Sequence, residues 1–176
     1  DVKTQIVADK FQRIIQEMQE ADIMFLIQQS NLRNSELKSQ QMNDLHAAIK
    51  EADANEKKAI NNLEVLGYAS PDGELDLNTK LAEARQAKSQ KYLEKQLKKN
   101  KIQAEVASKI TAEDWEGFQK AMEQSNIQDK QLVLRVLSMY TDPEEREAQI
   151  KNLSAVYQTI ADEILPALRR SRLVLT

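Results

Sequence analysis

Residues 63–93 read LEVLGYASPDGELDLNTKLAEARQAKSQKYL, and the architecture can be worked out from this stretch. Leu63 and Val65 face one way and their neighbours the other, which is the alternation of a half-buried strand. The loop Gly67–Gly73 follows, and it holds two of the three glycines and one of the three prolines in the chain. Glycine and proline clustered in this way indicate a specific loop. A long helix is predicted from about Glu74 to Lys99, with lysines near its end as is typical of helix C-termini.

Patterns on both sides of this stretch predict three more strands. Ile23–Ile27 is a short β-prone apolar run, and Asp22 interrupts the pattern before it. Ile102–Ile110 alternates apolar and polar residues, and Arg170–Thr176 places two leucines on one face.

Helical spacing predicts helices between and before the strands. The N-terminal segment 1–21 carries an apolar stripe of Val7, Phe11, Ile14 and Met18. Further helices are expected from Glu36 onward, at Thr111–Gln124, at Asp129–Tyr140 and at Pro143–Leu165. Thr111 to Asp114 resembles a capping box at the start of the second of these, and Pro166 ends the last. Strands separated by helices predict an α/β (α+β) two-layer sandwich with a small mixed sheet.

Composition excludes several classes of protein. The chain has 176 residues, about one domain, and its 25 basic and 28 acidic residues give a net charge of −3. This balance argues against nucleic acid as a partner. The longest apolar runs are far shorter than the roughly 20 residues of a spanning helix, so no direct membrane insertion by this segment is expected. The chain begins at Asp1 rather than Met, and we expect it to be a piece of something longer.

No catalytic or metal-binding constellation is found. Cysteine is absent and His46 is the only histidine, so a multi-histidine or thiolate metal site is not expected. His46 is interpreted as an ordinary surface or boundary residue. Neither a nucleophile elbow nor a glycine-rich phosphate loop occurs. We therefore expect no cofactor, no metal and no enzymatic activity.

The long helix and the loop before it carry a family motif. In outline, the motif is a strand, then G-H/Y-T-D-x-x-G, then N-x-x-L-S-x-x-R-A, then a tyrosine and a leucine. The positions that match are Gly67, Tyr68, Ala69, Ser70, Gly73, Asn78, Leu81, Ala82, Arg85, Tyr92 and Leu93. This pattern resembles the OmpA-like C-terminal domain, the periplasmic module of Gram-negative envelope proteins. The YASPDG wording resembles a variant branch of that family.

The resemblance implies a single domain with a family core and two additions. Residues 22–110 and 168–176 correspond to the βαβαβ core and its closing strand. Residues 1–21 form an extra N-terminal helix, and 111–167 form a helical insertion before the last strand. Trp115 and Phe118 are interpreted as anchors that bury the insertion against the body.

Members of this family commonly hold peptidoglycan through the diaminopimelate of the stem peptide, which presents an ammonium and a carboxylate. By position, Arg85 is the carboxylate partner, because its planar fork can make two parallel hydrogen bonds. The resemblance places further ligand contacts at Tyr68, Ser70, Asp72, Asn78, Arg169 and Arg170. The family's acidic loop residue falls on Ser70, so Asp72 would have to supply the carboxylate that pairs with the ammonium.

The resemblance implies a wall tether at the periplasmic face of the outer membrane or in the cell envelope, within an outer-membrane protein or lipoprotein. The alternative is an OmpA-like fold without peptidoglycan binding, which contacts other envelope proteins through its insertion. For individual residues, Asn78 could instead bridge the loop and the helix, and Arg85 could pair with Asp72 or Glu83. An Asp72 within pairing distance of Arg85 favours the tether.

Overall fold

The computed structural model describes residues 15–176. Within that range four strands form one sheet: β1 (Gln19–Met24), β2 (Leu63–Tyr68), β3 (Val106–Thr111) and β4 (Arg170–Leu175). The helices of the first half are α1 (Asn34–Leu37), α2 (Gln40–Ala54) and α3 (Leu75–Lys99). Those of the second half are α4 (Trp115–Gln124), α5 (Lys130–Met139), α6 (Pro143–Asn152) and α7 (Ser154–Glu163), and a 3₁₀ turn spans Leu165–Leu168.

The sheet is mixed, and its last strand lies in its middle. The strand order is β1-β4-β2-β3, with β4 antiparallel to both of its neighbours and β2 parallel to β3. The predicted mixed α/β class with a small mixed sheet is therefore confirmed.

One face of the sheet is packed against α2 and α3, which makes the two layers of the sandwich. Alternating side chains of the strands meet one apolar stripe from each helix, as the period of two requires. The buried members of this core include Ile23, Phe25, Leu63, Val65, Leu173, Met42, Leu45, Ile49, Leu93 and Leu97. The predicted alternation in β2 is confirmed, and the structure shows that the face of Leu63 and Val65 is the buried one.

The helices after β3 bury a second, separate core. It is made by α4 to α7 and the 3₁₀ turn, and its fully buried members include Phe118, Met122, Val133 and Ile160. The insertion thus packs largely on itself. Trp115 and Phe118 stack edge to face with ring centroids 5.5 Å apart, and both belong to this second core rather than to the sheet core.

The first strand lies earlier than the sequence pattern predicts. β1 ends at Met24, and Leu26 and Ile27 are exposed in the following loop instead of continuing the predicted strand Ile23–Ile27. Asp22 does not interrupt the strand, because it lies on the polar face opposite the core and pairs with Arg172. Of the predicted N-terminal helix 1–21, residues 1–14 lie outside the described part of the chain, and Met18 is exposed and not helical.

Other element boundaries also differ from the predictions. The predicted strand Ile102–Ile110 begins four residues later than expected, because β3 starts at Val106. Ile102 is buried in the core but lies in the connection between α3 and β3. Thr111 ends β3 and does not cap a helix; Asp114 is the N-cap of α4 and accepts the Gly117 N–H at 3.0 Å. The predicted helix Pro143–Leu165 is divided at Leu153, whose backbone is not helical.

The remaining elements agree with the sequence patterns. β2, α3, α5 and β4 lie within one or two residues of their predicted bounds. The helix expected from Glu36 is realised as α1 and α2, with the Ser39 hydroxyl capping α2 at the Met42 N–H. In the stretch from residue 15 to 176 no helix combines the length and the hydrophobicity needed to cross a bilayer.

Candidate functional site

Arg85 lies at the centre of the predicted site and is almost completely buried. It extends from α3, is 1 % exposed, and donates hydrogen bonds to three backbone carbonyls. Nε contacts Gln29 O at 3.0 Å, Nη1 contacts Tyr68 O at 2.9 Å, and Nη2 makes a longer contact to Leu26 O at 3.4 Å. The side chain therefore joins the loop after β1 to the end of β2.

The charge of Arg85 has no acidic partner close by. Among residues 15–176 no carboxylate lies within 4.0 Å of its guanidinium. Burial, with a smaller contribution from the positive charge of Arg169, lowers the pKa of Arg85 to about 10, and the charge of Asp72 opposes this decrease. Arg169 is partly buried and also lacks an ion pair within the described part of the chain. Within residues 15–176, therefore, neither arginine has a carboxylate within 4.0 Å, although the charge of Asp72 acts on Arg85 from farther away.

The loop between β2 and α3 is held in place by its own side chains. The Asn78 amide donates to Asp72 O at 3.0 Å, and the Ser70 hydroxyl donates to the Asp72 carboxylate. Ser70 and Asn78 are both buried. Asp72 is thus close enough to influence the pKa of Arg85, but its carboxylate is engaged by Ser70 and forms no ion pair with the arginine.

Two glycines give this loop its path. Gly67 lets β2 approach α3 so closely that a Cβ at this position would lie 2.6 Å from Gln86 Cβ and 2.8 Å from Gln86 N. Gly73 has φ of +96°, a left-handed conformation that residues with a side chain rarely adopt. The first two turns of α3 and the loop are therefore positioned by backbone constraints as well as by Asn78.

Tyr68 and Arg170 lie on the other face of the sheet from Arg85. Ser171 donates through its hydroxyl to Arg85 O at 3.0 Å, so the adjacent side chain of Arg170 points to the opposite face. There the Arg170 guanidinium stacks over the Tyr68 ring at 4.1 Å and its Nη1 donates to Asp114 Oδ2 at 2.9 Å. Of the predicted ligand residues, Ser70, Asp72 and Asn78 are joined by hydrogen bonds, and Arg85 contacts the carbonyl of Tyr68 but none of these three. The side chains of Tyr68 and Arg170 lie on the opposite face of the sheet.

The insertion reaches the loop through a residue that sequence reasoning missed. Glu147 of α6 accepts the Gly73 N–H at 2.9 Å and pairs with Lys151 at 2.7 Å. Pro71 and Asp72 line a small apolar cavity together with Trp115 and Phe118 of the insertion. The order of the chain gives no signal for this contact, because Glu147 follows Gly73 by 74 residues.

The second missed feature is the role of Asp114, which the sequence pattern places inside a capping box but not as the N-cap or as the partner of Arg170. Asp114 is the last acidic residue before an apolar helical pattern, which is the position of an N-cap. Its carboxylate both caps α4 and pairs with Arg170. Over the described range, no group of three or more histidine, cysteine, aspartate or glutamate side chains is arranged to hold a metal ion.

A scan against models of known protein families finds no match to this chain, and a comparison with curated protein sequences finds none either.

Proposed function

We propose that this chain is an OmpA-like envelope domain that binds peptidoglycan non-covalently through the diaminopimelate of the stem peptide. The observation that carries the proposal is the buried Arg85 guanidinium, which lies beside Arg169 with no carboxylate within 4.0 Å in residues 15–176. A buried cation without a counter-ion is costly, and an incoming carboxylate relieves that cost. The domain would tether an outer-membrane protein or lipoprotein to the wall from the periplasmic side.

The ligand carboxylate has a defined place in this proposal. Three of the five guanidinium N–H groups of Arg85 contact backbone carbonyls, which leaves two for a ligand. Because Arg85 is only 1 % exposed, the proposal also requires the residues around it to open when the ligand binds. Arg169 is partly buried and adds a second positive charge from the residue just before β4. Because the three carbonyl contacts fix the plane of the Arg85 fork, little side-chain entropy is lost when a carboxylate binds.

The ligand ammonium needs an acidic partner, and Asp72 is the candidate. Ser70 occupies the position of the family's acidic residue and cannot pair with an ammonium as a carboxylate does. In the free protein the Ser70 hydroxyl donates to the Asp72 carboxylate. A carboxylate has about four acceptor positions, so Asp72 can keep this bond and accept from an ammonium as well.

A calorimetric or NMR titration with a diaminopimelate muropeptide tests the proposal. We expect saturable binding, and at least about tenfold weaker binding by Arg169→Ala, because a partly exposed charge contact to the carboxylate is lost. Arg135→Ala is the matched control, since Arg135 is exposed on α5 in the insertion. The same muropeptide with lysine in place of diaminopimelate lacks only the carboxylate and should bind more weakly to the wild type.

Arg85→Lys adds a test of the central residue. Lysine keeps the charge but cannot reproduce three fixed carbonyl contacts and a ligand contact together. Its fold is checked by circular dichroism before the titration. If the folded wild type shows no binding at millimolar muropeptide, or binds the lysine form equally well, the carboxylate site proposed for Arg85 is wrong.

The second candidate function is a protein-interaction scaffold without a wall ligand. It is favoured by the contact of Glu147 with Gly73, because the insertion there occupies a backbone N–H of the loop that a ligand would otherwise use. Under this alternative Arg85 serves only to join the two loops. The titration separates the two functions, since a scaffold would leave the muropeptide spectrum unchanged while the protein remains folded.

A further inference from the structure

The two edge strands of the sheet, β1 and β3, differ in whether side chains hydrogen-bond to their outward backbone groups. At β1 the outward N–H groups are occupied by side chains from the helices that follow. Asp22 N–H donates to Gln41 Oε1 at 3.0 Å, and Met24 N–H donates to Glu36 Oε1 at 2.8 Å. Arg33 completes this edge by donating to Met24 O at 3.2 Å. Another strand cannot add here without displacing these three side chains.

The edge at β3 has no such cover in the described part of the chain. Ala107, Ser108, Lys109 and Ile110 are all exposed, and no loop or side chain of residues 15–176 hydrogen-bonds to their backbone from the outer side. The strand contains no proline, and Lys109 is its single charged residue. A flat strand edge with free N–H and C=O groups is a template for pairing with another strand.

We propose that β3 pairs with β3 of a second copy of this chain, antiparallel, with Ser108 facing Ser108 on the two-fold axis. In a symmetric antiparallel pair of identical strands, one residue faces its own copy. With Ser108 on the axis, Val106 faces Ile110 of the second copy, and the partly exposed apolar side chains cover each other. Cross-strand pairs of β-branched residues stabilise such a ladder.

Charge selects this register over the neighbouring one. Moving the axis to Lys109 pairs an equal length of strand but places two ammonium groups directly opposite each other, which is destabilising. Moving it to Ala107 leaves only three strand residues in the ladder, because β3 begins at Val106. With Ser108 on the axis, Lys109 faces Ala107 and lies diagonal to Glu105 of the second copy, an attractive pairing.

Sedimentation equilibrium from micromolar to millimolar protein tests for the dimer, and Ser108→Lys tests its register. Ser108 is exposed, so lysine is tolerated in the monomer, but it would place two ammonium groups on the axis. We expect the wild type to dimerise with rising concentration and Ser108→Lys to weaken the dimer at least about tenfold. A wild type that stays monomeric throughout, or a dimer unaffected by Ser108→Lys, would overturn the proposal.

Cross-linking gives an independent readout, because the sequence contains no cysteine. Facing residues on adjacent strands have Cβ atoms close enough for a disulfide after small adjustments. Under mild oxidation we expect Ser108→Cys to form a covalent dimer about tenfold or more faster than Ser138→Cys, a matched serine exposed on α5. Equal rates for the two variants would contradict pairing through β3.

Discussion

Asp114 and Arg170 form an ion pair that is buried on both sides, with exposed fractions of 3 % and 8 % and an Nη1–Oδ2 distance of 2.9 Å. The same Asp114 carboxylate caps α4 through the Gly117 N–H. The pair therefore connects the beginning of the insertion to the first residue of β4, and the Tyr68 ring covers the guanidinium from above.

Removing Asp114 should be among the most damaging single changes. Asp114→Ala leaves Arg170 buried without a counter-ion and α4 without its cap, and we expect a loss of about 3–5 kcal/mol in the free energy of unfolding. Asp114→Asn keeps an oxygen for the Gly117 N–H, so its loss should be smaller. Urea denaturation measures both. Asp53→Ala, at an exposed position on α2, is the control and should change the free energy by less than about 0.5 kcal/mol.

Gly67→Ala should destabilise the protein by forcing β2 away from α3. The new Cβ would collide with the Ala82 carbonyl and with the backbone of Gln86, neither of which can rotate away. We expect a loss of about 1–3 kcal/mol or more in thermal or urea unfolding. Gly73→Ala meets no close atom and strains only the left-handed φ, so its cost should be about 1 kcal/mol. A Gly67→Ala variant as stable as the wild type would contradict the close approach.

The two cores should respond separately to cavity-forming substitutions. Phe118→Ala empties the core of the insertion, and Leu93→Ala empties the core under the sheet. Each is expected to cost about 3–5 kcal/mol. Hydrogen exchange should rise mainly in α4–α7 for the first variant and mainly in α2, α3 and the strands for the second. Uniform acceleration across the chain in both variants would show that the cores unfold as one unit.

His46 should make stability depend on pH just below neutrality. Its Nε2 lies 3.1 Å from the Tyr92 hydroxyl, and burial, with a smaller contribution from Lys50, lowers the pKa of His46 from its ordinary value of 6.5. The unfolded chain then binds a proton more readily than the folded one. The contribution of neutral His46 to the free energy of unfolding is fully present above pH 6.5, the pKa in the unfolded chain. It is lost as the pH falls through the lower pKa of His46 in the folded protein.

The measurement is the free energy of unfolding of the wild type and of His46→Gln between about pH 7 and about pH 5. We expect the wild type to lose stability relative to the variant as the pH decreases. The difference between the wild type and His46→Gln removes the contribution of the carboxylates to the pH dependence, because they titrate in both proteins. A constant difference across this range would mean that His46 titrates alike in the folded and unfolded states.

How much of the structure could be predicted from the sequence depends on the range of the interaction. The alternation at Leu63 and Val65, the glycine-rich loop and the long helix are local patterns, and they predicted β2 and α3 within a residue or two. The polarity of Asp22 was misread as a break because its partner, Arg172, is 150 residues away. Asp114 was placed inside a capping box but with the wrong capping residue, since the pairing of Thr111 with Tyr68 in the sheet overrides local propensity.

In the candidate site, too, local patterns are predictable from the sequence and contacts between distant segments are not. The family motif indicates Arg85, Asn78 and the loop; Asn78 does bind the loop at Asp72 O, whereas Arg85 contacts the end of β2 at Tyr68 O. The alternation along β2 also gives a signal for Tyr68, whose side chain falls on the same face as Glu64 and Leu66 and opposite to Leu63 and Val65. Two of the three carbonyls that hold Arg85, those of Leu26 and Gln29, belong to the loop after β1, 59 and 56 residues away, and no local pattern reveals them.

The central place of β4 in the sheet has a consequence for folding during synthesis on the ribosome. In the described part of the chain β1 pairs with no strand other than β4, and Asp22 and its partner Arg172 are separated by 150 residues. At about 5–20 residues per second, a ribosome leaves β1 without its neighbour for roughly 8–30 s. The core of the insertion is complete once Leu168 has been made, just before β4. In the nascent chain α2 can cover the apolar side of β1 early, because the two elements are close in sequence, but the edge of β1 that hydrogen-bonds to β4 stays unpaired until β4 has emerged.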